Sequence, residues 1–170
     1  DEEIDLEKMV IASSMSIYGE GEYYCPDCNS IRYPSLREDE QMANSEWEHS
    51  CSECGQTLEP RGTPESKPRD STSIYAITKK DQEEMMLSIG RAYDIPTVAL
   101  RYFNIFGSRQ ALDNPYTGVC AIFSSRIKND NPPLVFEDGE QTRDFIHVSD
   151  IARANRLAIE SDATDVAVNI

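Results

Sequence analysis

Two continuous apolar runs, residues 9–13 and 97–102, bracket one long helical segment, and that order leaves few options for the fold. A run without polar alternation suits a strand covered on both faces, as in a parallel sheet. Parallel neighbours need a long crossover, usually a helix. Candidate N-caps at Ser71 to Ser73 start that helix, and it runs to about Tyr93 before Pro96. The expected architecture is α/β, built on a parallel βαβ unit. Residues 1–7 read as an acidic approach to the first strand. Residues 118–128 read as a helix with Val119, Ile122, Phe123 and Ile127 on roughly one face. Residues 133–136 read as a short strand, 150–160 as a helix with Ile151, Ala154, Leu157 and Ala158 apolar, and 165–170 as a last strand.

The crossover carries something foreign to such a unit. Cys25 and Cys28, then Cys51 and Cys54, form two Cys-x-x-Cys pairs with 22 residues between them. Two residues between cysteines make a tight knuckle that aims both thiolates at one ion. Gly55 permits the turn the second knuckle needs. The spacing predicts a structural Zn²⁺ in an inserted ribbon-like module over residues 20–70, with 1–19 and 71–170 forming the rest. Iron or a dithiol–disulfide couple are the alternatives. Four thiolates leave no open position for catalysis. His49 is a weaker candidate ligand. The module also accounts for the 61 positions between Ser14 and Tyr75, too long for a structureless loop. It follows the C-terminal end of a parallel strand, the side where ligands bind. It is either a structural decoration or a lid or docking surface near the mouth of that site.

Charge removes some functions. The chain's net charge of −15 repels phosphate backbones and anionic lipids, so no nucleic acid and no membrane partner is expected. No apolar stretch approaches spanning length, and no signal peptide is visible. Five cysteines, with Cys120 alone, fit a reducing compartment, so the expected location is cytoplasmic.

Tyr75 and Lys79 are four apart and share one helix face. A free tyrosine, with a pKa of about 10, is a poor base at neutral pH. A nearby ammonium favours the phenolate, which can take a proton from a substrate hydroxyl while hydride leaves the same carbon. Ser14, at a strand end, can orient that hydroxyl. Of the eight tyrosines only Tyr75 has a lysine four residues on. Alone, the pair also fits a half-buried tyrosine beside an exposed lysine.

Four motifs stand in order: Ser13-Ser14-x-x-Ile17-Tyr18-Gly19, Tyr75-x-x-x-Lys79, Leu100-Arg101-Tyr102-Phe103-Asn104 followed by Gly107-Ser108-Arg109, and Gly139-x-x-x-Arg143-Asp144-Phe145-Ile146-His147-Val148-Ser149-Asp150. Together they resemble the NAD-dependent epimerase/dehydratase family, the extended short-chain dehydrogenase/reductases. The resemblance implies the C-terminal part of a Rossmann-type parallel sheet plus part of a substrate domain. It implies Ser14, Tyr75 and Lys79 as catalytic residues, with Lys79 also on the nicotinamide ribose. Tyr102 and Phe103 would lie on the nicotinamide side. Asn104 and Arg143 would meet the diphosphate of a nucleotide sugar, a task suited to a guanidinium fork. Asn104 as a turn residue, and Arg143 as a surface ion pair with Asp144 or Glu140, are the bland alternatives. His147, inside an apolar run, reads as a core histidine.

Dehydratases of this family resemble one another in an acidic pair after the first-motif Ser/Thr. Here those positions are Met15 and Ser16, which leaves 4-epimerisation through a 4-keto sugar. Ser108 in place of the family's proline reads as neutral. The family's Gly-x-x-Gly-x-x-Gly loop is absent from these residues, so the chain reads as an internal fragment unable by itself to hold NAD. A homodimer is a fold-level expectation. A non-enzymatic zinc-ribbon interaction module on a degenerate α/β remnant is the rival reading, and a reductase of the same fold is a third.

Overall fold

The computed structural model describes residues 6–112 and 118–170. Most of the acidic approach expected over residues 1–7 lies outside them. In chain order the elements are β1 (Met9–Ser14), a 3₁₀ turn over Met15–Tyr18, β2 (Glu22–Cys25), β3 (Ser30–Arg32), α1 (Asp39–Ala43), β4 (Glu59–Arg61) and α2 (Ile74–Tyr93). There follow β5 (Thr97–Tyr102), β6 (Asn104–Phe106), α3 (Val119–Lys128), β7 (Phe145–His147), α4 (Val148–Glu160) and β8 (Val166–Asn169).

The main sheet runs β1-β5-β8, all parallel, with Ile11 opposite Ala99, Ser14 opposite Tyr102 and Val98 opposite Val166. Alternate β5 side chains serve opposite faces. Val98 and Leu100 pack with Ala158 of α4, beside Val10, Tyr102 and Ile170. Thr97 and Arg101 meet α2 on the other face, at Gly90 and Glu83. Helices on both faces explain why residues 97–101 are all buried, as the apolar run predicted.

α2 begins where expected: Ser73 Oγ accepts from the Ala76 N–H at 3.1 Å. It ends on Asp94 in the left-handed conformation, φ 54°. Its buried line is Ala76, Glu83 and Gly90, one residue every two turns. A Cβ at Gly90 would stand 2.2 Å from Thr97 Oγ1, so only glycine lets the helix approach β5 this closely.

A second, antiparallel sheet, β3-β2-β4, lies within residues 20–70, the stretch expected as an inserted module. Its core is Cys25, Cys51 and Leu58, with Tyr23 and Cys28 against them. The module leaves and rejoins the main fold at one place: Asp70 N–H donates to Ile17 O at 2.9 Å. Gly19 (φ 66°) lies so close there that a Cβ would sit 2.3 Å from Asp70 O.

Two expectations fail. Residues 133–136 form no strand. Pro132 and Pro133 lack the N–H a ladder needs, and Leu134, Val135 and Phe136 are exposed. His147 is no core residue: it is exposed, and its Nδ1 lies 3.3 Å from the Ser149 N–H as the N-cap of α4. That cap starts α4 two residues before the expected position. The apolar face of α3 is present, but none of its residues is buried.

Candidate functional site

The C-terminal ends of β1 and β5 lie side by side. Ser14, buried, closes β1 opposite Tyr102. Its Oγ donates to Ser16 Oγ at 3.1 Å and accepts the Ser16 N–H at 3.2 Å. A serine oxygen has two acceptor positions, so one remains for a further partner. Next to it, Met15 Sδ contacts Asn104 Nδ2 at 3.6 Å. Asn104 also donates from its backbone N and from Nδ2 to Asp144 O, at 3.1 and 3.0 Å. Asn104 is therefore brought beside the first motif, and it ties the β6 segment to the residue following Arg143.

α2 packs on β1 and on the 3₁₀ turn. Lys79 Nζ donates to Ala12 O at 2.8 Å and to Gln82 Oε1 at 3.3 Å, which fastens the helix to the strand that ends in Ser14. One of the three ammonium protons is left over. Tyr75, one turn earlier, is 53% exposed, and its hydroxyl has no protein partner among the described residues. Tyr102 turns its hydroxyl to Asn155 Oδ1 of α4 at 2.8 Å. Phe103 is half-buried, with its N–H on Ile170 O. Arg143 is exposed and makes only local bonds, to Thr142 O at 2.6 Å and Gln141 Oε1 at 3.2 Å. It has no ion pair with Asp144 or Glu140 among the described residues. A cleft of about 680 Å³ opens nearby between residues 106–112 and the α3 face that bears Cys120 and Ser124, with His147 at its rim.

Beneath these residues lies a buried polar network. Glu83, with no exposed surface, accepts from Ser13 Oγ at 2.5 Å, Arg101 Nη2 at 2.6 Å, Arg101 Nε at 3.1 Å and Arg69 Nη1 at 3.1 Å. Arg101 Nη1 donates to Tyr18 Oη at 2.6 Å, and Tyr18 donates on to Asn169 Oδ1 at 2.7 Å. Burial by itself would raise the Glu83 pKa, but the bonds from Arg101 and Ser13 and the Arg101 and Arg69 charges outweigh it and leave it lowered. For Tyr18 burial prevails over the same arginine, and its pKa is raised. Two sequence signals point here. Arg101 interrupts a buried strand, so it needs a partner, and Glu83 lies one turn beyond Lys79 on the face turned to the sheet.

In the inserted module the four thiols converge, with Sγ atoms all within 4.8 Å of one another. Cys25 Sγ lies 3.5 Å from Cys54 Sγ, and Cys28 Sγ 3.8 Å from Cys51 Sγ. A tetrahedron with metal–sulfur bonds of about 2.3 Å has edges of about 3.8 Å. Disulfides, at about 2.05 Å, are much shorter. Gly55 takes φ 77°, as the second knuckle requires, and its N–H donates to Cys51 O at 2.8 Å. The Cys51 thiol is drawn down to about 6, chiefly by a hydrogen bond from Arg32. Arg32 Nε is buried and has no hydrogen-bond partner among the described residues. His49 stands outside the cluster: its Nε2 is 3.4 Å from Glu20 Oε2, and its ring meets Tyr23 edge-on at 5.1 Å.

Residues 49–170 match the family model described as "NAD dependent epimerase/dehydratase family". The chain belongs to that family. Among relatives in the family, a dTDP-L-rhamnose 4-epimerase from Burkholderia thailandensis is 34% identical over 151 residues, covering 89% of this chain and 40% of that protein. Among solved structures, a UDP-N-acetylglucosamine 4-epimerase from Methanobrevibacter ruminantium superposes with a TM-score of 0.68 at 33% identity, over 96% of this chain and 41% of that one. A UDP-glucuronic acid 4-epimerase from Bacillus cereus, solved with UDP-glucuronic acid and NAD, superposes with a TM-score of 0.65 at 25% identity, over 99% and 41%. The chain thus spans about two fifths of the length of these family members. Their Rossmann-type fold agrees with the α/β class expected from the sequence. Among the described residues no helix is long and apolar enough to cross a membrane.

Proposed function

We propose that this chain supplies the catalytic residues of an NAD-dependent nucleotide-sugar 4-epimerase. One observation carries the reading: Lys79 fastens the helix that bears Tyr75 to β1 at Ala12, two residues before Ser14. The free Tyr75 hydroxyl, the spare Lys79 proton and the spare Ser14 acceptor fit a nicotinamide ribose and a sugar hydroxyl. The NAD-bound Bacillus cereus relative supports NAD as the cofactor. Bound NAD supplies the acceptor, and later the donor, of the hydride at the sugar carbon.

The chain's own residues handle the proton. Ser14 Oγ holds the 4-hydroxyl. Tyr75 Oη takes its proton as the C4–H bond breaks, and returns it when the 4-keto sugar, turned over, is reduced on its other face. Lys79 places a positive charge beside Tyr75. Tyr102 and Phe103 border the nicotinamide side. Asn104 and Arg143 receive the diphosphate. Met15 and Ser16 offer no carboxylate to drive loss of water, which favours epimerisation over dehydration. Ile74, Ile77, Met85 and Ile89 leave an exposed apolar strip on α2, which supports a homodimer. The test is to incubate the full-length protein with NAD and UDP- or dTDP-sugars and follow inversion at C4 by NMR. An inverted sugar without net cofactor consumption supports the reading. A 4,6-dehydrated product, or a reduced one formed with stoichiometric cofactor consumption, overturns it.

Cys25, Cys28, Cys51 and Cys54 hold one structural Zn²⁺ in this reading, and the half-buried Arg32 offsets part of the excess thiolate charge. Residues 20–70 then form a metal-clipped module within a framework of 1–19 and 71–170. Reduced thiols suit a cytoplasmic protein. Structural zinc sites contribute about 10–16 kcal/mol to folding. Metal analysis is expected to give one zinc per chain, lost in a Cys51→Ser/Cys54→Ser variant. Full zinc retention by that variant would refute the assignment.

A further inference from the structure

We propose that Arg37 of the inserted module and Glu137 act as a positioning pair that holds the loop carrying Arg143 over the diphosphate site. The inference rests on the epimerase reading, in which Arg143 receives the diphosphate.

The two residues are a hundred positions apart, yet they meet fork to fork. Arg37 Nη1 donates to Glu137 Oε2 at 2.9 Å and Nη2 to Oε1 at 3.0 Å. Paired bonds of this kind fix orientation as well as distance. The side chains are only 22% and 13% exposed, so this is no loose surface contact. Arg37 is itself braced from within the module, because Nη1 also donates to Trp47 O at 2.9 Å. Trp47 lies four residues before Cys51, so the metal knuckle and the bracing carbonyl share one short segment.

The other end of the pair is a turn that does not hold itself. Glu137 stands at φ 55°, a left-handed conformation that a non-glycine residue keeps only where its surroundings enforce it. Gly139 follows at φ 84°, and Glu140 N–H donates to Asp138 Oδ1 at 3.0 Å. The contact continues at Asp138, which lines a cleft of about 590 Å³ with Gln41, Trp47, Glu48 and Thr57 of the module.

From Glu137 the polar chain runs on towards the site. The Glu137 carboxylate is held below the usual range first by Arg37, then by the Gln141 side chain. Gln141 Oε1 in turn accepts from Arg143 Nη2 at 3.2 Å. Arg37 thus grips the turn at Glu137, and Gln141 and Arg143, bonded to each other, follow within six residues on the same loop. A pair that only orients a binding group changes ground-state and transition-state affinity alike, so it appears in KM and leaves kcat alone.

The experiment uses the full-length protein and three variants, Arg37→Gln, Glu137→Gln and the reversed pair Arg37→Glu/Glu137→Arg. Two readouts are taken: kcat and KM for the nucleotide sugar, and hydrogen exchange over residues 137–143. Each single variant is expected to raise KM roughly tenfold with kcat nearly unchanged and to speed exchange in the loop. The reversed pair is expected to restore most of both. Unchanged exchange and KM in the single variants overturn the proposal, as does a reversed pair no better than either single change. Faster exchange with an unaltered KM overturns it while leaving the epimerase reading intact. A wild-type protein that turns over no nucleotide sugar defeats that reading and, with it, this role for the pair.

Discussion

Changing Tyr75 to phenylalanine is expected to lower kcat by roughly 10²- to 10⁴-fold while leaving stability unchanged. The two halves of that expectation come from the same geometry. Tyr75 is half-exposed and its hydroxyl bonds to no protein group among the described residues, so removing one oxygen leaves nothing in the fold unpaired. What disappears, in the proposed mechanism, is the group that accepts and returns the sugar proton. Substrate binding, carried by Asn104 and Arg143 in the proposed site, is expected to persist. Thermal melting and steady-state kinetics on the full-length protein check both halves. A variant within threefold of wild type in kcat would remove Tyr75 from the chemistry. A variant with a clearly lowered Tm would mean that the residue serves the fold.

Glu83→Ala has the opposite signature, a large loss of stability. Removing one partner of a buried charge pair typically costs about 3–5 kcal/mol, because the other charge stays buried and unpaired. Here Arg101, itself buried, loses both of its carboxylate bonds, and Ser13 loses its acceptor. Urea unfolding at neutral pH measures the loss, and one below about 1 kcal/mol would show that water or rearrangement replaces the carboxylate. The pH dependence has a definite sign. The Glu83 pKa is lowered on folding, so its contribution is fully present above the unfolded carboxylate range. It fades as pH falls through that range towards the lowered folded value. Wild type should therefore lose its advantage over Glu83→Ala in acid.

Glu83 also shows where sequence reading stops. The strands and α2 were legible because continuous apolar runs, a serine cap and a proline stop each act locally. The cysteine spacing was legible for the same reason: each knuckle is formed by four consecutive residues. The Glu83–Arg101 pair joins a helix to a strand 18 positions on: each residue signals its own burial locally, but no local pattern says that the two are partners. Arg37 and Glu137 are further apart still. Leu134, Val135 and Phe136 have the apolar run of a strand but pair with no other strand among the described residues. His147 has apolar neighbours, whereas its own task is to cap the helix that starts beside it. The candidate catalytic residues come from motifs, whereas the bond that ties the Lys79 helix to β1 at Ala12 is visible only in the fold.

The doorway between Ile17 and Asp70 has a consequence for descent. A segment whose two ends already touch closes a loop whose length costs the fold little. It can be gained or lost in a single genetic event, without re-registering β1 against β5 and without threading the sheet. A lineage could thus adopt a cysteine-cornered module beside an older strand while leaving the strand itself untouched, and could tune the two by separate mutations.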